Sequence, residues 1–371
     1  EAVDLTVDTN LGRQPKQQKL RNAEYYDMQD VMDKLYEESC KGKSFHNLMH
    51  LITSENNILL AFRNIKNNKG SMTKGTDGKT ITQYKGWSEE QFVKYFQSKF
   101  ANYHPKSVRR TEIPKVGQPD KMRPLGIPCM DDRIIQQCII QVLEPICEAR
   151  FHAHSYGFRP NRSASHAIAR AQSLMNVSKL HYVVDVDIKG FFDNINHDVM
   201  IGILEERIND ARFIRLIRKF LNAGYIEDWE YFHTYNGTPQ GGIISPVLAN
   251  IYLDKLDKYM AEYAAKFDRN ARKEVNPRYR HYQRKKERAK KALKSAVSLE
   301  ERKLLVGQIR KYDNLMLQTP AKNDMDCNYK RLKYVRYADD FLCGVIGSKE
   351  DAMTIKSDIK DFISDKLKLE L

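Results

Sequence analysis

Two adjacent carboxylates, Asp339 and Asp340, lie between two hydrophobic segments of the chain. Residues 332–335 and 341–346 have the composition of strands, so the pattern predicts a hairpin with both acids at its tip. Neighbouring carboxylates repel each other unless a cation or a base neutralises them. The pair therefore indicates a divalent metal site, with a solvated Asp-Asp turn as the alternative for these two residues taken alone.

A second acidic segment, residues 181–188, is expected to supply the partner of this pair. Its residues alternate as in a strand, with hydrophobic residues on one face and Asp185 and Asp187 on the other. Acids are unfavourable in such a strand, and local inconsistencies of this kind are expected at functional sites. If the strand and the hairpin share one sheet, Asp187 and Asp339 converge near Asp340 and offer hard oxygen ligands suited to Mg²⁺.

The charge of the chain is concentrated in one segment. The whole chain of 371 residues has a formal net charge of +14, which favours a polyanionic partner. Residues 266–311 contain 17 Lys or Arg residues and five acids, a net charge of +12. This stretch favours helices but has too little apolar material for a core of its own, so it is predicted to be a surface insertion that contacts RNA. A solvated pair of charged helices is the alternative.

The elements that must position the acids follow from periodicity and turn signals. A β-ribbon is expected over residues 109–127, with its turn at 117–120, and an alternating strand at 367–371. Asp193 is expected to cap the helix that follows it. Helices are predicted at residues 22–40, 54–65, 89–100, 131–148, 164–175 and 250–263. No apolar run is long enough to span a membrane, and no secretory signal is visible.

Five segments of the chain follow the order of the motifs of one enzyme family. They are residues 109–128, 155–163, 187–195, 238–250 and 337–340, the last of which reads Tyr-Ala-Asp-Asp. In these segments the chain resembles the group II intron-encoded reverse transcriptases, or maturases. The resemblance covers the chain from about residue 52 to its end.

The resemblance implies a two-metal nucleotidyl transfer. Asp187 and Asp339 would bind two Mg²⁺ ions, with Mn²⁺ as the alternative metal, and the carbonyl of Ile188 would complete one coordination shell. Asp340 is expected to support the site rather than to bridge the ions, because alternation along the strand turns it away.

Further residues are assigned to the nucleotide by the same resemblance. Lys115 and Arg123 would contact the incoming triphosphate, and Gln240 would lie beside the nucleotide. Phe192 would pack beneath the sugar and leave no room for a 2′-hydroxyl. Ordinary surface charges for Lys115 and Arg123, and a core position for Phe191 or Phe192, are the alternatives.

The remaining candidates are basic residues that would contact RNA. Arg159 and Arg162 lie in a loop rich in Ser, Gly and Pro, where phosphate contact, helix capping and plain surface charge all stay open. In the basic segment, the predicted RNA-binding cluster consists of Arg284, Lys285, Lys286 and Arg288.

The fold expected from these elements is α+β, namely the fingers and palm of a right-hand polymerase with an antiparallel palm sheet packed on helices. The thumb is expected to be absent. The predicted division is a flexible arm at 1–21, a helical extension and fingers at 22–180, a palm at 181–264 and 331–371, and a basic insertion at 265–330.

The expected function is RNA-directed DNA synthesis combined with a role as a splicing maturase. The expected partners are intron RNA, an RNA template with a DNA primer, and deoxynucleotides, with a homodimer left open. A bacterial cytoplasmic ribonucleoprotein is the expected location, and an organelle is the alternative. A splicing-only maturase and a reverse transcriptase of a retron or diversity-generating element are the alternative functions.

Overall fold

The computed structural model describes residues 20–115, 117–227, 230–232, 236–238 and 241–371. Two compact units divide the chain: the first comprises residues up to Arg150 together with Ile201–Pro246, and the second comprises Phe151–Met200 and Val247–Leu371. The second unit therefore joins residues 151–180 to the segments predicted as palm, and the first joins residues 201–246 to those predicted as fingers.

Helices and strands alternate along most of the described chain. The helices are α1 (Asn22–Tyr25), α2 (Gln29–Cys40), α3 (Leu48–Ile52), α4 (Glu55–Lys66), α5 (Glu89–Ala101), α6 (Met130–Glu148), α7 (Ala164–Ser178), α8 (Phe191–Asn194), α9 (His197–Glu205), α10 (Ala211–Leu221), α11 (Ser245–Phe267), α12 (Pro277–Ser295), α13 (Leu299–Leu317) and α14 (Lys349–Leu367). The strands are β1 (Val108–Lys115), β2 (Gln118–Ile127), β3 (Tyr182–Val186), β4 (Tyr225–Glu227), β5 (Glu230–Phe232), β6 (Arg331–Tyr337) and β7 (Asp340–Ile346). Among the described residues, no helix is long and apolar enough to cross a membrane.

The first unit is built around α6, most of whose side chains are buried. Polar side chains fix the neighbouring helices to it: Asn57 of α4 donates to the carbonyl of Cys138 at 3.0 Å, and Gln141 donates to the Asn57 amide oxygen at 2.7 Å. A four-stranded sheet in the order β2-β1-β4-β5 completes the unit. The predicted ribbon is therefore confirmed, but β2 already begins at Gln118, so the predicted turn at 117–120 was placed too late.

The second unit contains an antiparallel sheet in the order β3-β7-β6. One face of this sheet is buried, with Val184, Val186, Tyr334, Phe341 and Cys343 pointing into the core. The hydrophobic alternation in the sequence thus sets the register, since a slip by one residue would expose this entire set.

Helix α14 packs beside this sheet and corrects one prediction. Residues 367–371 were expected to form a strand, yet Leu367 is the last residue of α14. A capping box formed by Ser348 and Asp351 starts the helix. Buried side chains at helical spacing then extend it to its end: Ala352, Ile355, Ile359, Ile363 and Leu367.

The basic segment forms a hairpin of two helices, α12 and α13. Its small apolar seam consists of Ala289, Ala296 and Leu305, with Leu293 and Ile309 packed against it. Most other side chains of the two helices are exposed.

Candidate active site

The three predicted acids occupy one end of the β3-β7-β6 sheet. Asp339 lies in the turn between β6 and β7, and Asp340 is the first residue of β7. The last pair between β3 and β7 is Val186 with Phe341, so one further step in that register sets Asp187 opposite Asp340. The strand order therefore brings together acids that lie more than 150 residues apart in the chain.

The register overturns the argument that alternation turns Asp340 away. Asp185 pairs with Leu342, and residues opposite each other in antiparallel strands point to the same face. Asp340 therefore shares the exposed face with Asp185 and Asp187, whereas Phe341 points into the core. The orientation of the Asp340 side chain depends on the register between β3 and β7, which the sequence of one strand does not reveal.

These carboxylates interact electrostatically. Burial raises the pKa of Asp339, and the nearby carboxylate of Asp187 raises it further. Burial also raises the pKa of Asp340, followed by the repulsion of Asp339, Asp187 and Asp185. No described lysine, arginine or histidine forms an ion pair with any of them. Repulsion among the carboxylates therefore disfavours the ionised forms of Asp339 and Asp340, and the buried guanidinium of Arg336 offsets only part of it at Asp339.

The donor set fits a hard divalent cation, which prefers carboxylate oxygens. In the described part of the chain, no three His, Cys, Asp or Glu side chains are grouped so as to hold a metal ion by themselves. A cation at this position would relieve the repulsion between Asp187 and Asp339 and would draw its remaining ligands from backbone, water or substrate oxygens.

The opposite, buried face of the sheet holds the turn from behind. Arg336 is fully buried and donates to Asp257 of α11 through Nε at 2.8 Å and Nη2 at 2.6 Å. Its Nη1 donates to the carbonyl of Ala338 at 2.7 Å and to the side chain of Asn250 at 3.2 Å. Tyr334 donates to the same Asp257 carboxylate at 2.8 Å. The buried Arg336–Asp257 ion pair and these hydrogen bonds therefore fix Ala338, the residue immediately before Asp339.

A glycine lets a second segment approach the same turn. Ala338 has a left-handed backbone, with φ of 54°, and a Cβ added to Gly157 would lie 2.8 Å from its Cα. Asn250 donates to the carbonyl of Gly157 at 2.8 Å, so one amide links this loop to Arg336. Sequence reasoning missed this support, although an arginine at an inward-facing strand position was a signal that an acid must lie opposite.

The two aromatic residues after Asp187 divide between core and surface. Phe191 is 2% exposed and packs near the ring of Tyr252, whereas Phe192 is only half-buried, with its ring 6.4 Å from that of Phe158. The core alternative therefore applies to Phe191.

The capping prediction for Asp193 is wrong. Asp193 lies within α8, and the chain leaves that helix before α9 begins. The side chain of Asn196 instead accepts a hydrogen bond from the amide of Val199 at 3.0 Å in the first turn of α9.

The residues predicted to contact the triphosphate belong to the first unit. Arg123 is exposed on β2 and pairs across the ribbon with Ile113. The backbone of Lys115 ends β1 at an irregularity in the register. Gln240 lies outside the described residues.

Gly241, which follows Gln240, packs against the ribbon. It adopts φ of 104°, and a Cβ there would lie 2.8 Å from a side-chain atom of Leu125. The absence of a side chain is therefore required for contact with β2, a reason that the sequence did not reveal.

Arg159 and Arg162 bind their own loop. Arg159 is 6% exposed and donates to the carbonyls of His152 and Ser155 at 2.7 and 2.8 Å. Arg162 donates to the carbonyl of Ala153 at 2.5 Å and lies over the ring of Tyr156. These contacts favour a structural role, most strongly for the buried Arg159.

The four basic residues predicted to bind RNA on α12 differ in their exposure. Arg284, Lys285 and Arg288 are exposed. Lys286 points into the seam and forms an ion pair with Asp313 of α13. Lys286 therefore holds the hairpin together, and the other three residues carry the accessible charge.

Comparisons with known proteins match this arrangement to one family. Residues 113–276 match the family model for reverse transcriptase (RNA-dependent DNA polymerase). The chain is 43% identical over 313 residues to group II intron-encoded protein LtrA of Lactococcus lactis subsp. cremoris, a match that covers 84% of this chain and 51% of that protein. It is 33% identical to the putative COX1/OXI3 intron 1 protein of Saccharomyces cerevisiae, covering 98% and 39% of the two chains. It is 32% identical to protein YkfC of Escherichia coli, covering 87% and 77%. The chain thus spans about half of LtrA.

Proposed function

The chain belongs to the group II intron-encoded reverse transcriptase family, and on that premise we propose that it is an RNA-directed DNA polymerase that also binds intron RNA as a splicing maturase. The observation that carries the polymerase assignment is the carboxylate cluster at the tip of the β6-β7 hairpin. Burial and the carboxylate of Asp187 raise the pKa of Asp339, the buried Arg336 offsets part of this effect, and no described cation forms an ion pair with either acid. Such an arrangement costs stability and is retained where catalysis needs it.

In this proposal Asp187, Asp339 and the carbonyl of Ile188 would hold Mg²⁺, and Mn²⁺ is the alternative metal. When bound, the metal would supply Lewis-acid activation of the primer 3′-hydroxyl and would offset charge on the departing pyrophosphate. Asp340 adds negative potential from the same face of the sheet. The Arg336–Asp257 pair keeps the Ala338 turn in place, so that Asp339 is positioned before substrate arrives.

We assign nucleotide binding and sugar selection to four other residues. Lys115 and Arg123 would bind the triphosphate, where Arg supplies a fork of donors and Lys a compact charge. Gln240 would lie beside the nucleotide. Phe192, as the half-buried member of its pair, would exclude a 2′-hydroxyl. Phe192→Val is then expected to raise ribonucleotide incorporation, and unchanged sugar selectivity would remove it as the gate.

Primer extension on an RNA template with a DNA primer tests the polymerase assignment. The purified chain should incorporate deoxynucleotides with Mg²⁺, and Asp187→Asn and Asp339→Asn should each reduce synthesis to background while RNA affinity stays unchanged. Arg302→Gln, at an exposed position of α13, is the control and should remain active. A chain that binds RNA tightly but extends no primer would be the splicing-only maturase.

The RNA-binding part of the proposal rests on the exposed cations of α12. Replacing Arg284, Lys285 and Arg288 by glutamine should reduce the slope of log K against log salt by about 2, since each lost contact to single-stranded RNA removes about 0.7. Lys286→Gln is the matched control, because Lys286 is already paired with Asp313. It should destabilise the hairpin and leave the salt slope unchanged. An unchanged slope in the triple variant would remove the hairpin from RNA binding.

A further inference from the structure

Helix α10 in the first unit presents a cationic face that the proposed function does not use. Its other face is buried through residues such as Phe213, Ile217 and Phe220. The carboxylate of Asp210 caps the helix by accepting from the amides of Arg212 and Phe213, at 3.0 and 3.1 Å. The side chains on the outward face are Arg212, Arg215, Arg218 and Lys219.

Two adjoining cavities, of about 540 and 530 Å³, lie along this face. Arg215 and Lys219 line both of them, and Arg212 lines the larger. None of the described residues that line either cavity is an acid. The volume is within the range of about 300–1,000 Å³ typical of small-molecule sites.

The charges in the larger cavity are not neutralised by the protein. The guanidinium groups of Arg212 and Arg215 have no carboxylate partner among the described residues. Lys219 donates to the carbonyl of Tyr103 at 2.6 Å, which fixes its position without cancelling its charge. The hydroxyl of Tyr103 is buried and lacks a hydrogen-bond partner in the described structure. A buried hydroxyl without a partner is costly unless a ligand or a water molecule uses it, whereas the two exposed guanidinium groups are solvated and available.

The larger cavity also has apolar lining. Met49 and Phe100 line it from outside α10, beside polar residues such as Thr53 and Gln97, and Phe100 is half-buried. Arginine forks match phosphate oxygens, and aromatic rings stack on unpaired bases. The combination is therefore that of a ligand with one anionic end and one flat apolar end.

We propose that this cleft along α10 binds a nucleotide, with its phosphate on Arg212 and Arg215 and its base against Phe100 and Met49. The nucleotide is either free or an unpaired residue of an RNA strand. The strand source rests on the proposed RNA binding, whereas the free source does not. Neither source requires the chain to synthesise DNA.

Equilibrium titrations with two probes test the site, namely a fluorescent oligo-A dodecamer of RNA and free AMP. The double variant Arg212→Gln/Arg215→Gln should bind the dodecamer about tenfold more weakly, with a salt slope smaller by about 1.4. The control Lys34→Gln/Lys85→Gln removes the same charge from exposed positions of this unit that line neither cavity, and it should keep the wild-type slope. Phe100→Ala should weaken binding of whichever probe occupies the cleft by about fivefold or more, because stacking on one base is lost.

The outcomes separate the two sources. Loss confined to the dodecamer identifies an RNA strand as the ligand, and parallel loss of AMP binding identifies a free nucleotide; either supports the site. Equal affinities of the double variant and the lysine control would overturn it. If the double variant unfolds at a lower temperature than the wild type, Arg212→Lys/Arg215→Lys replaces it, which keeps the charge and should still weaken binding by losing the forks. A wild-type chain that binds both probes yet fails in primer extension would contradict the polymerase assignment alone.

Discussion

The two faces of the β3-β7-β6 sheet differ in whether their charged side chains form ion pairs. On the buried face, Arg336 and Asp257 are both fully buried, and each is paired and hydrogen-bonded. On the exposed face, Asp187, Asp339 and Asp340 lie together, repel one another and form no ion pair in the described structure. One small sheet thus carries a fully paired charge on one face and carboxylates without ion pairs on the other.

The two faces separate residues that serve stability from residues that serve chemistry. A buried pair that is fully hydrogen-bonded specifies one position for the turn, and breaking it leaves an isolated charge in the core. A cluster of acids without ion pairs costs stability and is suited to binding a ligand. Substitutions on the two faces should therefore affect different measurements.

The largest expected effect is on the buried face. Asp257→Asn leaves the Arg336 guanidinium without a counter-charge and should reduce the free energy of unfolding by about 3–5 kcal/mol in urea denaturation. Asp340→Asn, on the exposed face of the same sheet, is the control and should leave this free energy equal or higher because it removes repulsion. Comparable losses in both variants would remove the distinction between the faces.

Asp131 and Asp132 extend the comparison to the first unit. Asp131 accepts hydrogen bonds from Tyr84 and from Tyr95, the latter at 2.8 Å. Asp132 is 2% exposed, one of its oxygens has no described partner, and burial raises its pKa to about 8.

The unfolded chain releases the Asp132 proton near pH 4, whereas the folded chain keeps it to about pH 8. Stability is therefore unaffected by this group below pH 4 and is lost as pH rises from 4 to 8. As pH rises through this window, the free energy of unfolding of Asp132→Asn should increase relative to that of the wild type by about 1 kcal/mol per pH unit. Urea unfolding at several pH values measures this difference. Asp131→Asn should lose stability at every pH. A pH-independent difference for Asp132→Asn would contradict the assignment.

A smaller effect is expected where the loop meets the turn. Gly157→Ala introduces a Cβ against Ala338 and should displace Asp339, with a loss of about 10–100-fold in primer extension. Gly307→Ala on α13 is the control, because a Cβ there meets nothing within 4 Å. It should keep full activity and stabilise the helix by about 1 kcal/mol. Full activity of Gly157→Ala would show that the turn does not depend on this approach.

The sequence predicts the site better than its support, for a physical reason. Alternation in residues 181–188 and around Asp339 is local, so the strands and the hairpin could be predicted. The partner of Arg336 lies 79 residues away in α11, and no local pattern connects the two. The predicted orientation of Asp340 was wrong, because the face to which a residue at a strand end points depends on the register of the neighbouring strand.

Short sequence patterns were also outweighed by the packing of longer elements. The five-residue alternation at 367–371 was outweighed by the apolar stripe and capping box of α14. Lys286 looked like its exposed neighbours until the seam with α13 paired it with Asp313. In both cases burial, which a single sequence does not display, made the decision.

Thermal unfolding across millimolar Mg²⁺, with no nucleic acid present, measures directly whether these carboxylates bind a divalent cation. Binding to the folded state alone raises the unfolding temperature. The wild type should therefore gain stability as Mg²⁺ increases, whereas Asp187→Asn and Asp339→Asn should start higher in EDTA and respond little. Equal responses of wild type and both variants, or lower stability of the variants in EDTA, would contradict an uncompensated carboxylate site that awaits a divalent cation.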